Sequence, residues 1–271
     1  MAFSACLVDV ALCWVVCRLR AVFKRIPRFP ARRPFTIASL VYLCPSLNLR
    51  LITIDGPVAV GKSSVGLLLA ERLGFQFFDT GVIYRTFTYK ALTGGISPAD
   101  ADSLITLANK SAFTFRETTG SRLVVLVDGE DVSGFLTSQE IERNVALIAK
   151  IPQVRARMVE EQRRMAEDHR LVMAGRDIGT VVLPWADLKV FLVASIEERA
   201  RRRFAEMQER GANIPYETVL SELRQRDHND MTRKVSPLKP ADDAVTLDTD
   251  GLTLEQVVDR IVDLASARER A

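Results

Sequence analysis

No cysteine follows Cys44 in this chain of 271 residues. That absence removes a disulfide framework or a cysteine-built zinc site from residues 51–271. The cysteines present, Cys6, Cys13, Cys17 and Cys44, have spacings that match no metal motif. Histidine is almost as scarce, and His169 and His228 take no role here. Internal repeats, low-complexity tracts and Pro/Gly-rich linkers are also missing, so residues 50–271 read as one domain with inserted subdomains.

Hydrophobic residues make up 48% of the chain and charged residues 26%, enough to build a full core. The first fifty residues differ from the rest. They carry eight basic residues (Arg18, Arg20, Lys24, Arg25, Arg28, Arg32, Arg33, Arg50) against one acid, Asp9. Residues 51–271 are mildly acidic, and nothing in them asks for a nucleic-acid or membrane partner. Met1–Cys17 is apolar but short for a bilayer span and contains Asp9, and its positive charges come after it rather than before. Three readings of residues 1–49 stay open: an added segment outside the folded domain, an organelle-targeting presequence, or an anchor.

From Leu51 onward, short apolar runs alternate with amphipathic stretches, the pattern of a parallel sheet covered by helices. Strands are expected at Leu51–Ile54, Gln76–Phe78, Leu171–Met173, Lys189–Val193 and Ala244–Leu247. Capping-box spacing marks helix starts at Ser195/Glu198, Thr253/Gln256 and Thr137/Glu140, and Ser97-Pro98 predicts a cap followed by proline at the first helical position. Ala112–Val127 breaks the alternation with two β-like runs around TTGS, predicting an antiparallel hairpin.

The strongest local signal is IDGPVAVGKSS, Ile54–Ser64. It completes G-x-x-x-x-G-K-[ST] between an expected strand and an expected helix, the arrangement of a phosphate-cradling P-loop. Its backbone, across Gly56, Pro57, Val58, Ala59, Val60, Gly61, Lys62, Ser63 and Ser64, can surround phosphate oxygens, with every residue but Pro57 able to donate an N–H, at the positive end of the helix. Lys62 is expected to reach the β- and γ-phosphates and the Ser63 hydroxyl to meet Mg²⁺. Ala59, with Val58 and Val60 around it, stands where glycine is common and predicts a stiffer loop.

The cradle by itself fits kinases, switches and motors. A GTPase would add a base-reading NKxD, which is missing. Asp79–Arg85, DTGVIYR, instead places a hydroxyl and an arginine where a second phosphate can be held, and the planar guanidinium fork suits a pair of phosphate oxygens.

DTGVIYR resembles the D-[ST]-G-x-x-Y-R of the cytidylate kinase family. Gly175–Val182, GRDIGTVV, with Pro184 resembles its GRDxGTVVFP. Arg226, Asp227, Asp230 and Arg233, leading into VSPLKPADDAVTLDT, resemble its RDxxDxxR run and the A-P-L-x-P-A-x-D-A run after it. The hairpin and DGEDVS (Asp128–Ser133) resemble the insert that sets this family apart from adenylate kinase. The resemblance runs from about Leu51 to Ala267 and implies a P-loop NTPase-type α/β fold: a parallel sheet with helices on both faces, a β-containing acceptor-binding insert at about 80–150, and a lid at about 198–235.

It also implies transfer of the γ-phosphate of ATP-Mg²⁺ to CMP or dCMP. Thr80, Arg85 and Arg176 match positions at the acceptor's phosphate. Arg155, Asp177 and Arg233 match the cytosine-reading group, and Arg226 with Asp230 the pair near the sugar. Cytosine offers an amine beside N3 and O2, which a carboxylate and arginines complement. Arg202 and Arg203 match lid positions that meet the donor. Lys62, Arg85, Arg176 and Arg202 are the expected catalytic cations, and no general base is required.

Three departures stand out. Ala174 occupies a position where the family usually has an acid, for which Asp55 is the expected substitute; Ala146 stands where some relatives offer a serine, and Asn229 replaces a common basic residue. The competing readings are a kinase of UMP or another small acceptor, and a catalytically weakened regulatory nucleotide binder. A monomer in the cytoplasm, acting only on small-molecule substrates, is the expected setting, with organelle targeting by residues 1–49 as the alternative.

Overall fold

The computed structural model describes residues 48–118, 120–233 and 235–270. The stretch 1–47, with the targeting and anchor readings attached to it, lies outside the described residues.

Five strands form one parallel sheet: β1 (Leu51–Asp55), β2 (Gln76–Asp79), β6 (Leu171–Gly175), β7 (Leu188–Val193) and β8 (Val245–Asp248). They lie side by side in the order β2-β6-β1-β7-β8. All five expected strands are present, several one residue longer at the carboxyl end. Pairing continues to the residues where the site loops depart, since Asp55 lies opposite Gly175 and Asp79 opposite Ala174.

Both faces of the sheet are covered, which is why its strands read as apolar runs rather than alternating ones. Leu51, Phe78, Leu171 and Met173 join one core with α2 (Gly81–Thr93), α3 (Ala101–Lys110), α4 (Gln139–Ile148) and α5 (Pro152–Asp168). Their neighbours Ile52, Phe77 and Val172 face the other core, built with α1 (Lys62–Leu73) and α8 (Leu254–Glu269).

The expected hairpin is β3 (Phe113–Glu117) against β4 (Leu123–Val127), extended by the short β5 (Glu130–Asp131). Phe115 meets Phe78 edge-on at 5.6 Å between ring centres, fastening the hairpin to the end of β2.

Two expected helix starts move. Ser138, not Thr137, caps α4 by accepting from Ile141 N. Ser97 and Pro98 make a turn instead, with Ser97 Oγ accepting from Ala99 N and its carbonyl from Asp100 N, and Asp100 then caps α3. Proline at the second position of a turn competes with proline at a helix start, and here the turn wins. Thr253 and Gln256 form the full reciprocal box. Ser195 makes only its half, because Glu198 turns to Arg201 and Arg202.

The arginine-rich segment folds as a helical hairpin, α6 (Ile196–Glu209) and α7 (Tyr216–Thr232). Its core is small: Ala200, Val219, Leu220 and Leu223, with Val58 and Ala59 of the P-loop packed against it. The three larger aliphatics contribute about 1.5–3 kcal/mol each, and partly buried Ile196, Phe204, Met207, Ile214 and Tyr216 pack around them.

Candidate active site

The cradle follows from local backbone geometry. Gly56 leaves β1 with φ of +149°, and a Cβ there would lie 2.4 Å from the Leu192 carbonyl oxygen. Ala59 adopts φ of +61°, so the loop's one deviation toward alanine sits in the left-handed region. α1 then starts with no side-chain cap and no acid in its first turn. Its amides and its positive end therefore remain available to an anion. Lys62 Nζ curls back over the loop, donating to the carbonyls of Gly56 at 2.9 Å and Pro57 at 2.6 Å. Ser63 and Ser64 are exposed beside it.

Asp55 does not stand free to replace the acid missing at Ala174. Its two carboxylate oxygens accept from Ile178 N at 2.8 Å and Gly179 N at 2.7 Å, tying β1 to the turn after β6. Burial pushes its carboxyl up to about 6, against the pull of those two amides. The carboxylate that does reach the P-loop hydroxyl is Asp79, whose Oδ2 accepts from Ser63 Oγ at 2.6 Å while Oδ1 accepts from Gly81 N. Asp79 is in the DTGVIYR run, but its contact with Ser63 depends on β2 and α1 meeting in space.

Thr80 is buried and donates its hydroxyl proton to the Ala174 carbonyl at 3.0 Å. The close approach requires Gly175, where a Cβ would fall 2.6 Å from Thr80 Oγ1. Arg85 bends over the start of α2, within 2.8 Å of where a Gly81 Cβ would be, and pairs with Glu142 of α4 at 3.2 Å. Ala146 is exposed on that same helix.

After β6 come Arg176 and Asp177. Arg176 pairs with Asp230 of α7 at 2.8 Å; Arg226, expected beside Asp230, is exposed and has no ion-pair partner among the described residues. Asp177 is buried, hydrogen-bonded to Arg155 of α5 and 4.0 Å from Arg233 Nη2. Arg233 Nη2 is itself buried without a hydrogen-bond partner. Leaving such a donor unmet costs about 1–3 kcal/mol, an arrangement that a ligand relieves.

Electrostatically, the pieces converge on Lys62. Loss of solvent and the nearby Arg176 charge push its ammonium down to about 7, opposed by Asp79, Asp55 and Asp230. Arg176, desolvated and crowded by Arg226 and Arg233, is pushed down to about 10. Half-buried Lys62 and Arg176 beside a loop with open amides fit a phosphate-bearing ligand.

The arginines of α6 divide. Arg201 is exposed and pairs with Glu198, an ordinary solvated charge. Arg202 donates to Val60 O at 3.3 Å and to Thr249, and Arg203 pairs with Glu206. Arg199 is a residue to which the sequence motifs assign no role. It is buried, makes a two-point pair with Asp227 of α7 at 3.1 and 2.6 Å, and donates to Val58 O at 3.2 Å. A signal existed in its position four residues into a capped helix, but the neighbouring arginines concealed which would turn inward.

Beyond the cradle a separate group of arginines gathers: Arg176, whose charge acts on Lys62, with Arg226 and Arg233 acting on Arg176. That is the layout of a P-loop phosphotransferase of the nucleoside monophosphate kinase class. The family described as Cytidylate kinase matches residues 52–267. A cytidylate kinase of Geobacillus sp. is 45% identical over 82% of this chain and 98% of that protein. One of Desulfitobacterium hafniense is 46% identical over 79% and 91%, and one of Caldicellulosiruptor bescii 41% over 79% and 94%. The chain belongs to the cytidylate kinase family. Its activity is phosphorylation of CMP or dCMP at the expense of ATP. No helix among the described residues is long and apolar enough to cross a membrane.

Proposed function

We propose that the donor and acceptor are held by the residues that surround Lys62. Gly56–Ser64 hold the triphosphate of ATP, with Lys62 leaving the Gly56 and Pro57 carbonyls for the β- and γ-phosphates. Arg85 and Arg176 hold the phosphate of CMP, with Thr80 at its margin. Arg155, Asp177 and Arg233 read cytosine, and Arg226 with Asp230 face the sugar. Arg202 and Arg203 approach the donor from the lid. The observation that carries this reading is the field around Lys62, which gathers Arg176, Asp79, Asp55 and Asp230 from four other segments.

In the reaction, an oxygen of the CMP phosphate bonds to the γ-phosphorus as the bond from that phosphorus to the β–γ bridging oxygen breaks, and ADP takes the electron pair. The acceptor is already anionic, so no proton has to be removed first. Asp55, engaged by two amides, is not placed as a base. The chain's work is alignment and charge compensation by Lys62, Arg85 and Arg176.

Ser63 and Asp79 fit Mg²⁺, being an exposed hydroxyl and a carboxylate already in contact at the mouth of the loop. When bound there, the ion would offset charge on the β- and γ-phosphates. Residues 80–150 serve as the acceptor-binding insert, and residues 198–235 close as the lid, excluding water that would compete as acceptor. The working unit is read as a monomer in the cytoplasm, acting on small-molecule nucleotides.

The test is a coupled ADP-release assay on purified protein offered CMP, dCMP, UMP and AMP separately, with Asp177→Ala alongside. Asp177→Ala is expected to raise KM for CMP at least tenfold while leaving KM for ATP near the parent value, in line with about 1.5–3 kcal/mol for a hydrogen bond to a charged group. Equal loss toward both substrates overturns the base-reading role.

A further inference from the structure

Ser236 lies in the segment that leaves α7, and it is one of only three non-glycine residues with positive φ among those described, at +51°. A serine in the left-handed region, directly before Pro237, is conformationally costly. Such strain persists where surrounding contacts over-determine it. Here the contacts are specific. Ser236 Oγ accepts from Arg155 Nε at 3.2 Å, and the Ser236 carbonyl accepts from Arg233 Nε. The turn is pinned further along, where buried Leu238 donates its amide to the Asp230 carbonyl at 2.9 Å.

A guanidinium carries five N–H donors in one rigid plane, so fixing its Nε edge fixes the direction of its Nη edge. For both arginines the Nε edge is taken by the same residue, and both Nη edges then turn to Asp177. Arg155 comes from α5 and Arg233 from the end of α7, 78 residues apart in sequence. Asp177 alone cannot orient them, since it touches only the ends that a ligand must also use. The left-handed turn is what allows one residue to present its hydroxyl to one arginine and its carbonyl to the other.

We propose that Ser236 is a positioning residue for acceptor recognition: it holds the guanidinium planes of Arg155 and Arg233 in the orientation that reads the base. The proposal rests on the reading that Arg155, Asp177 and Arg233 face cytosine. Without the hydroxyl, Arg155 keeps its pairing with Asp177 but gains freedom to rotate about it. The consequence falls on CMP affinity and on discrimination against UMP, and leaves donor binding alone.

Two variants separate hydroxyl from backbone. Both remove the hydroxyl and keep the carbonyl; Ser236→Gly also relaxes the left-handed strain, whereas Ser236→Ala keeps it. Both are expected to raise KM for CMP about tenfold, the scale of a lost hydrogen bond to a charged group, and to lower the CMP-over-UMP ratio of kcat/KM. KM for ATP should stay within twofold and the thermal midpoint of the glycine variant should match the parent. Parent-like CMP kinetics in Ser236→Gly would overturn the role of the hydroxyl, as would a proportional rise in KM for both substrates. Asp177→Ala, run in parallel, distinguishes the failures. If it spares CMP recognition, the base-reading assignment falls; if it destroys recognition while Ser236→Gly does not, only the positioning role falls.

Discussion

The two halves of the site are built from different materials. In the proposed reading the donor half is chiefly one continuous stretch, Gly56–Ser64, offering backbone amides, a helix end and a single lysine, with Arg202 and Arg203 approaching from α6. The acceptor half is a set of side chains from β2–α2, α5, the turn after β6, and α7, held by cross-pairs such as Arg176–Asp230 and Arg155–Asp177. A backbone site depends on where the chain bends, and a side-chain site depends on whether distant elements pack. Substitutions among the base-reading side chains should therefore act on one substrate, whereas in the first half they act through Lys62 and Ser63 or, at Gly56, through the backbone.

The contrast breaks most visibly at Lys62. Lys62→Met is expected to lower kcat about 10²–10³-fold in the coupled assay, with circular dichroism unchanged, the scale seen when one preorganised charge is removed. Retention of activity within tenfold would mean that the arginines of the acceptor half carry the charge alone.

A smaller effect concerns protons. With Lys62 held at about 7 in the unliganded protein, phosphates that draw it back toward its usual 10.5 must bring a proton with them. Calorimetry in buffers of different ionisation enthalpy, near pH 8, should show uptake on ATP binding that shrinks toward pH 6 and vanishes in Lys62→Met. Proton release instead would reverse the assignment. The same depression acts on stability. Between about 7 and 10.5 the unfolded chain binds more protons at this lysine than the folded one, so its contribution to stability rises with pH across that window.

The smallest effect is expected at Ala59. Glycine there would relieve roughly 1–2 kcal/mol of left-handed strain. It would also lose about 0.8 kcal/mol of methyl burial against the lid core and raise unfolded-state entropy by about 0.4–1 kcal/mol. These nearly cancel, so Ala59→Gly should shift the thermal midpoint by only a few degrees. A loss of ATP affinity without a stability change would show that Ala59 stiffens the loop for binding rather than for packing.

Legibility in the sequence divides along the same line. The five strands and the cradle were legible because each is a local pattern: apolar runs buried on both faces, and a glycine–lysine loop of fixed spacing. The family resemblance supplied the acceptor residues, but not their partners. That Asp79 holds Ser63, that Asp55 is occupied by Ile178 and Gly179, and that Arg176 rather than Arg226 takes Asp230 depend on the register of β1, β2 and β6 and the approach of α7. Arg199 was hidden for a related reason. Which of four clustered arginines faces inward is decided by Asp227, 28 positions away.

The contact of Lys62 with the carbonyls of Gly56 and Pro57 bears on how the enzyme lets go. A cation over a bare cradle would hold any departing nucleotide back until water replaced it. Here the lysine has a resting berth within its own loop, on two backbone carbonyls, and in the proposed reading that berth refills as ADP leaves. Arriving ATP meets the same competition, which weakens its grip by the strength of two short hydrogen bonds. On that reading the loop trades some affinity for the ability to empty.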